Sequence, residues 1–302
     1  MRRSFFYTIL FFCFVLTIPA HKALERLSTP FATPAVPHRI VSLAPSVTET
    51  LYALGLGPNV VGVTQFCTYP PDVATKPRVA GFSDINLEAV VRVRPDIVAL
   101  PVDKVESKER LERLGFPVLT LDTRSLSGLM RSIEALGQKM GHEKEATAIL
   151  RDFQRGLEEA RERAAGKQRP RVLFSVMHSY EGLGYITELN IVGQDGFYNE
   201  LIEAAGGINA YRGELAFPRL SREAVIFLNP DVIIDVIPRG ENLEAVRQDW
   251  RSLSSVAAIR NNRLFLLPDS ADTVPGPRSV QTLEKLVNAF HPQNSDAPEG
   301  GS

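Results

Sequence analysis

Residues 86–100, NLEAVVRVRPDIVAL, return in altered form 135 positions later as SREAVIFLNPDVIID, residues 221–235. Glu88 and Glu223, Ala89 and Ala224, Val90 and Val225, Pro95 and Pro230, and Asp96 and Asp231 coincide, and apolar residues face apolar ones at several further positions. Each copy reads as a short helix opened by a capping side chain, Asn86 or Ser221. A proline then stops the helix and launches a buried strand. One helix and one strand cannot bury their own apolar faces. A chain that writes the pair twice, with flanking elements in the same order, is expected to fold as two pseudo-equivalent halves.

The flanking pattern gives each half an α/β character. In the first, RIVSLAPS predicts a buried strand, and SVTETLYALGLG a helix capped by Ser46 with Glu49 as the reciprocal partner and closed by Gly55 or Gly57. NVVGVT predicts a second strand, and CTYPPDVATKPRV a loop that its prolines keep out of regular structure. Helix 87–93, strand 96–100, helix 105–114 and strand 117–121 follow. Continuously apolar strands alternating with helices predict a parallel sheet covered on both faces. After strand RVLFSV and a loop over 178–190, the second half predicts helices 196–205 and 222–228, strand 231–236, helix 243–258 and strand 263–267.

Between the halves lies a proline-free helical stretch. Its first part ends at Gly141; the second, 143–165, spaces Ala146, Ile149, Leu150, Phe153 and Leu157 helically and becomes charged nearly all round in its last turns. A helix polar on every side often bridges domains through solvent, so 143–165 is assigned as a stiff connector. The fold class is therefore α/β, two pseudo-symmetric lobes joined by one long rigid helix. The divisions are 1–23, a signal peptide; 24–37, an exposed lead-in; 38–125, the N-terminal lobe; 126–167, the helical segment; 168–291, the C-terminal lobe; and 292–302, a polar tail read as disordered.

The signal peptide rests on Arg2 and Arg3 before an apolar run over 5–18 that is too short to span a bilayer, with Ala20 or Ala23 for cleavage. Cys13 lies inside that run. Cys67 then stands alone, and an internal disulfide is impossible. A net charge of −1 leaves no electrostatic footprint for nucleic acid.

Sites in α/β sheets lie beyond the carboxyl ends of the strands. The loops nominated on that ground hold aromatic faces at Phe66, Tyr69, Phe82, Tyr180, Tyr185 and Phe217. Polar groups there are Ser46, Ser83, Asp84, Glu181, Asp269, Ser270 and Asp272. Aromatic walls with sparse polar contacts suit a large, flat guest. No GxSxG elbow, GxxxxGK loop or HExxH occurs, and the histidines at 21, 38, 142, 178 and 291 are scattered. The reading is a binder rather than an enzyme, with no catalytic residue, metal site or cofactor, although an exported enzyme using the same cleft is the rival from another class.

The runs RIVSLAPSVTETLYALGLGPNVVGVTQFCTYPPDV, RVAGFSDINLEAVVRVRPDIVAL, LGFPVLTLD and WRSLSSVAAIRNNRLFLLPD together resemble the periplasmic substrate-binding proteins of the iron-chelate and vitamin B12 uptake family, over about residues 38–290. The resemblance implies a periplasmic monomer with a ligand between the lobes, delivered to the permease dimer of an inner-membrane ABC importer. It is closest to the cobalamin-binding branch, whose cleft aromatics fall at Phe66 and Phe82. That branch carries Tyr and Trp there, a further Trp where this chain has Ala271, and a second-lobe disulfide this chain cannot form. By the same resemblance Glu88 and Glu223 cap the two lobes and meet arginines of the two permease subunits. Haem or a ferric siderophore is the alternative guest; an anionic siderophore would draw on Arg219 and Arg278.

Overall fold

Ile40, Val41 and Ser42 have no solvent exposure at all, which places their strand, β1 (Ile40–Ser42), in the middle of a sheet covered on both faces. The computed structural model describes residues 37–81, 84–178, 185–194, 196–238 and 240–292, with backbone alone at 177, 178, 270 and 271. The segment assigned from sequence as signal peptide, and nearly all of those assigned as lead-in and tail, lie outside the described residues. Around β1 run β2 (Val60–Thr64), β3 (Arg78–Ala80), β4 (Ile97–Pro101) and β5 (Val118–Leu121), all parallel, in the order β3-β2-β1-β4-β5. Val41, Val98 and Leu100 pack outward with Val90 of α2 (Leu87–Arg92) and Leu111 of α3 (Val105–Arg113). Ile40, Ile97 and Ala99 pack inward with Val47 and Leu51 of α1 (Pro45–Ala53).

The proline-rich segment is more regular than expected. It holds a short 3-10 helix, Pro71–Thr75, and then β3, which follows immediately after Pro77 because the sheet needs only its downstream N–H groups.

The second sheet has the order β11-β10-β6-β7-β9, built from β6 (Arg171–His178), β7 (Glu188–Ile191), β9 (Arg219–Ser221), β10 (Val232–Val236) and β11 (Leu264–Leu267), with β8 (Ile208–Asn209) beside β6. Its β6, β10 and β11 are parallel, but β7 is antiparallel to both β6 and β9. This corrects the expectation of a purely parallel sheet. Glu188 is exposed and Asn190 half-buried between the buried Leu189 and Ile191, a one-sided strand that polar residues disguise as loop. The expected helix 243–258 is likewise two pieces, α8 (Leu243–Arg251) and α9 (Ala257–Arg260). Arg222 at the start of α7 (Arg222–Leu228) donates to the Ser252 carbonyl and hydroxyl, fixing the break.

Both copies of the repeat do the same work. The Asp96 carboxylate accepts from the backbone N–H groups of His38 (2.9 Å) and Arg39 (3.0 Å), and the Asp231 carboxylate from that of Arg171 (2.8 Å). Each aspartate thus ties the start of β4 or β10 to the start of its central neighbour. Asn86 and Ser221 accept from Ala89 and Ala224 as helix caps. Arg94 and Asn229, at matching positions, take left-handed turns at φ of 45° and 42°.

The chain passes from one sheet to the other through α4 (Leu126–Met140), closed by left-handed Gly141 as expected, and α5 (Glu143–Ala164). α5 is not polar on every side. Ala146, Phe153 and Ala160 are buried one above another against α4 and α10 (Ser279–Phe290). Gly137 makes the α4–α5 crossing possible, because a Cβ there would meet the Ala146 methyl at 2.5 Å. The charges lie on the outer face as pairs such as Arg155–Asp152 and Arg161–Glu158. Among the described residues no helix is long and apolar enough to cross a membrane.

If the two aspartates are equivalent, Asp96→Ala and Asp231→Ala each lower stability by about 1–2 kcal/mol, the worth of charge-assisted bonds to partly exposed N–H groups. Being remote from each other, their effects add in the double variant. Urea unfolding of the three variants measures this.

Candidate functional site

In the first sheet the chain steps outward from β1 through β2 and β3, then jumps back to β4 on the other side of β1. The second sheet does the same around β6 and β10. The carboxyl ends of β1 and β4 flank a topological switch point, where crevices open in such sheets. Leu43 after β1 and Asp103 after β4 line a cavity of about 440 Å³ there, with Gly81, Asp84, Lys104 and Glu106. A second cavity, of about 570 Å³, lies between the lobes. The N-terminal lobe contributes Asp103, Asp122 and Arg124, and the C-terminal lobe Tyr198, Glu200 and Phe217.

Asp103 lines both spaces; it is exposed and makes no hydrogen bond or ion pair to the described residues. Asp122 and Arg124 face each other across two bonds of 2.9 and 3.0 Å, and the guanidinium holds the Asp122 carboxyl below the usual carboxylate range. Glu200, in α6 (Phe197–Ala204), accepts from the Leu126 N–H at 2.6 Å, placing a carboxylate at the positive end of α4.

Phe217 is held out into the cleft by its own backbone. The Gly193 N–H donates to the Ala216 carbonyl at 2.7 Å, and the approach is so close that a Cβ on Gly193 would stand 1.8 Å from the Leu215 oxygen. Phe217 is 56% exposed, its ring 6.2 Å from that of Tyr198 and edge-on to it. Tyr198 is buried, which drives its phenol pKa far up, and its hydroxyl donates to the Thr273 carbonyl.

Elsewhere the lobes are pinned together. Arg278, from the segment between β11 and α10, grips Glu49 of α1 with Nε to Oε2 at 2.8 Å and Nη2 to Oε1 at 2.6 Å. The Glu49 side chain is only 5% exposed and that of Arg278 20%. Burial pushes the Glu49 carboxyl upward, and the two Arg278 bonds pull it back. Tyr69 lies over the guanidinium, with Cζ 3.8 Å from the ring centroid.

Several sequence assignments change on this geometry. Glu49 is no capping partner: Pro45 takes the first helical position after Ala44, and Ser46 is buried within the first turn instead of offering its hydroxyl to the cleft. Asp272 is buried too, its carboxylate bound to Lys285 (2.8 Å to each oxygen) and Thr282 (2.9 Å), and is structural. Arg219 pairs with Glu188, so neither arginine suggested for an anionic guest is unpaired. Cys67 is buried beside the hydroxyls of Thr48 and Thr64.

Asp84 lines the first cavity and Phe217 the second. Phe66 is 45% exposed, and the Asp269 charge acts on both Glu49 and Arg278. Phe82, Ser83 and Tyr180, and the side chain of Ser270, lie outside the described residues. Sequence reasoning missed Asp103, Asp122, Arg124 and Glu200. The first three follow β4 and β5, and extending the carboxyl-end rule to those two strands would have found them.

Two α/β lobes with one cavity between them and another at the switch point of the first sheet are the architecture of a two-lobed ligand-binding protein. The sequence profile described as Periplasmic binding protein matches residues 40–271, and the chain belongs to that family. It is 32% identical over 265 residues to the ABC transporter substrate-binding lipoprotein YvrC of Bacillus subtilis, covering 85% of this chain and 81% of that one. Among solved structures it is similar to the periplasmic vitamin B12 binding protein BtuF of Vibrio cholerae, with TM-score 0.73, 26% identity and coverage of 84% and 97%. It is also similar to the periplasmic heme-binding protein RhuT from Roseiflexus sp. RS-1, with TM-score 0.71, 28% identity and coverage of 84% and 98%. Proteins of this class bind a ligand outside the cytoplasm and deliver it to the membrane permease of an ABC importer.

The inter-lobe pair generates a prediction. Arg278→Met strands a buried carboxylate and lowers stability by about 3–5 kcal/mol, whereas Glu49→Leu combined with Arg278→Met recovers most of that loss. A double-mutant cycle from urea unfolding reads both values.

Proposed function

We propose that the protein captures cobalamin or a related corrinoid between its lobes and hands it to the permease dimer of an inner-membrane ABC importer. It acts as a monomeric carrier without catalytic activity, exported by a cleaved signal peptide over 1–23. The observation that carries the choice of guest is the charge of the cleft. The described linings hold five carboxylates (Asp84, Asp103, Glu106, Asp122 and Glu200) against two cations, Lys104 and Arg124, and Arg124 is already committed to Asp122. Haem propionates and many siderophore donor groups are anionic, and this lining repels them. A corrin carries carboxamides around its rim, whose N–H groups suit carboxylate acceptors.

Phe66 and Phe217 offer the flat faces that a macrocycle stacks on. Asp84 and Asp269 belong to the same proposed set, with Phe82, Ser83, Tyr180 and Ser270 assigned to it from sequence alone. α5 serves as the stiff connector, so that the cleft changes little on filling.

The docking assignment of Glu88 and Glu223 rests on their matched helices. Both carboxylates are exposed in a first helical turn, and one turn on each helix shows an exposed aliphatic residue, Val91 or Ile226. Phe227 beside Ile226 is 88% exposed. The two ends differ: Glu88 is folded onto Arg92 at 2.7 Å, which a partner arginine has to displace, whereas hydrogen bonding to Ser221 lowers the Glu223 carboxyl.

Visible absorbance tests the guest, because the single tryptophan, Trp250, is fully buried against Asp235 and cannot report by contact. Equilibrium titration is expected to give tighter binding of cyanocobalamin than of haemin. The reverse order selects the haem alternative. For docking, Glu88→Arg with Glu223→Arg is expected to leave cyanocobalamin affinity within about twofold while abolishing its uptake by cells. Unchanged uptake removes the docking role.

A further inference from the structure

We infer that Asp103 sets the charge selectivity of the cleft, admitting a guest that presents N–H donors or positive charge and turning away one that presents carboxylates. The inference rests on the corrinoid reading for its guest and deepens it by naming the residue responsible. Asp103 stands two residues beyond the end of β4, at the switch point where the first sheet opens, and among the described residues it alone lines both cavities. A guest that fills either space meets it.

The other cleft carboxylates are differently placed. Asp122 is neutralised by Arg124, and Glu200 is bound to the Leu126 N–H. Asp84 and Glu106 line only the first cavity. Asp103 has no partner among the described residues, although Lys104 follows it in the chain and shares that first cavity. An unspent carboxylate facing a cleft loses hydration when a large guest covers it. It then costs binding free energy unless the guest returns a donor, and costs far more when the guest brings a second negative charge. Discrimination of this kind works by penalising the wrong guest as much as by rewarding the right one.

The test compares Asp103→Asn, Asp103→Lys and, as a control on α3 outside both cavities, Glu109→Gln. Each is titrated with cyanocobalamin and with haemin at low and high ionic strength. Urea unfolding of each variant checks that it is folded. The expected result is that Asp103→Lys shifts the affinity ratio toward haemin by about tenfold or more, that Asp103→Asn shifts it by less in the same direction, and that salt shrinks both shifts. Glu109→Gln leaves the ratio unchanged. A ratio that Asp103→Lys does not move, in a folded protein that still binds cyanocobalamin, overturns the inference and leaves the corrinoid reading standing. A wild-type preference for haemin overturns the corrinoid reading instead; a further gain in haemin affinity in Asp103→Lys then still supports the charge role. If Asp103→Lys weakens both guests equally, Asp103 acts on cleft shape and the inference fails.

Discussion

One apolar seam joins the halves of this protein. It starts at Ile40, Val47 and Leu51 under the first sheet, passes through Leu129 and Ile133 of α4 and Phe153 of α5, and reaches Phe174 on β6 and Leu283 on α10 under the second. These side chains are nearly inaccessible to water. Fully burying each is worth about 1.5–3 kcal/mol, so the seam cannot be parted without exposing several at once. Because α4 and α5 are built into the seam, the lobes do not hang from a solvated rod. The Glu49–Arg278 pair then fixes the lobes at a second, polar point. Two attachments of different kinds constrain lobe rotation more than either alone, and the cleft between them inherits that constraint.

A cleft whose walls are held apart in this way selects a guest by what its fixed walls present. Here the apolar surface comes from Phe217 and the Tyr198 edge behind it, and the polar surface is chiefly carboxylate. Carboxylates placed along a cavity disfavour anions through Coulomb repulsion and through the hydration they lose. The large arginine expected to serve an anionic guest is instead consumed in holding the lobes. The same segment that carries Arg278 also carries Thr273, whose carbonyl receives the Tyr198 hydroxyl. One stretch of chain between β11 and α10 thus positions both the lobe contact and an aromatic wall of the cleft.

Local rules read the scaffold well. The repeat revealed two lobes because its Pro-Asp step has a structural duty in each, tying β4 to the lead of β1 and β10 to the lead of β6. Gly141 ended α4 as its left-handed φ requires. Misreadings arose where a long-range partner decided the outcome. Glu49 and Ser46 fit a local capping box, but Arg278, 229 residues away, claims the glutamate. Asp272 looked like a loop carboxylate until Lys285 and Thr282 on the following helix enclosed it. β7 was lost because its sheet partner is antiparallel, which permits polar residues on one side. No composition or spacing argument sees such partners, since they depend on how loops are brought together by the sheets.

The repeat also indicates where function had to arise. Where the copies agree, at the helix caps, the left-handed turn, the proline and the aspartate, each of these residues serves its own lobe. Just past the shared segment they part: β4 runs on through Val102 to Asp103, while the matching positions after β10 are Ile237 and Pro238. Ile237 is fully buried and Pro238 is exposed but carries neither charge nor N–H, so the second lobe presents no charged group at the position where the first lobe presents an exposed carboxylate. Symmetric halves would present the same face to a guest from both sides and bind best a guest with matching symmetry. A guest with unlike edges and unlike faces needs walls that differ, and the divergence of the two copies beyond their common segment supplies them.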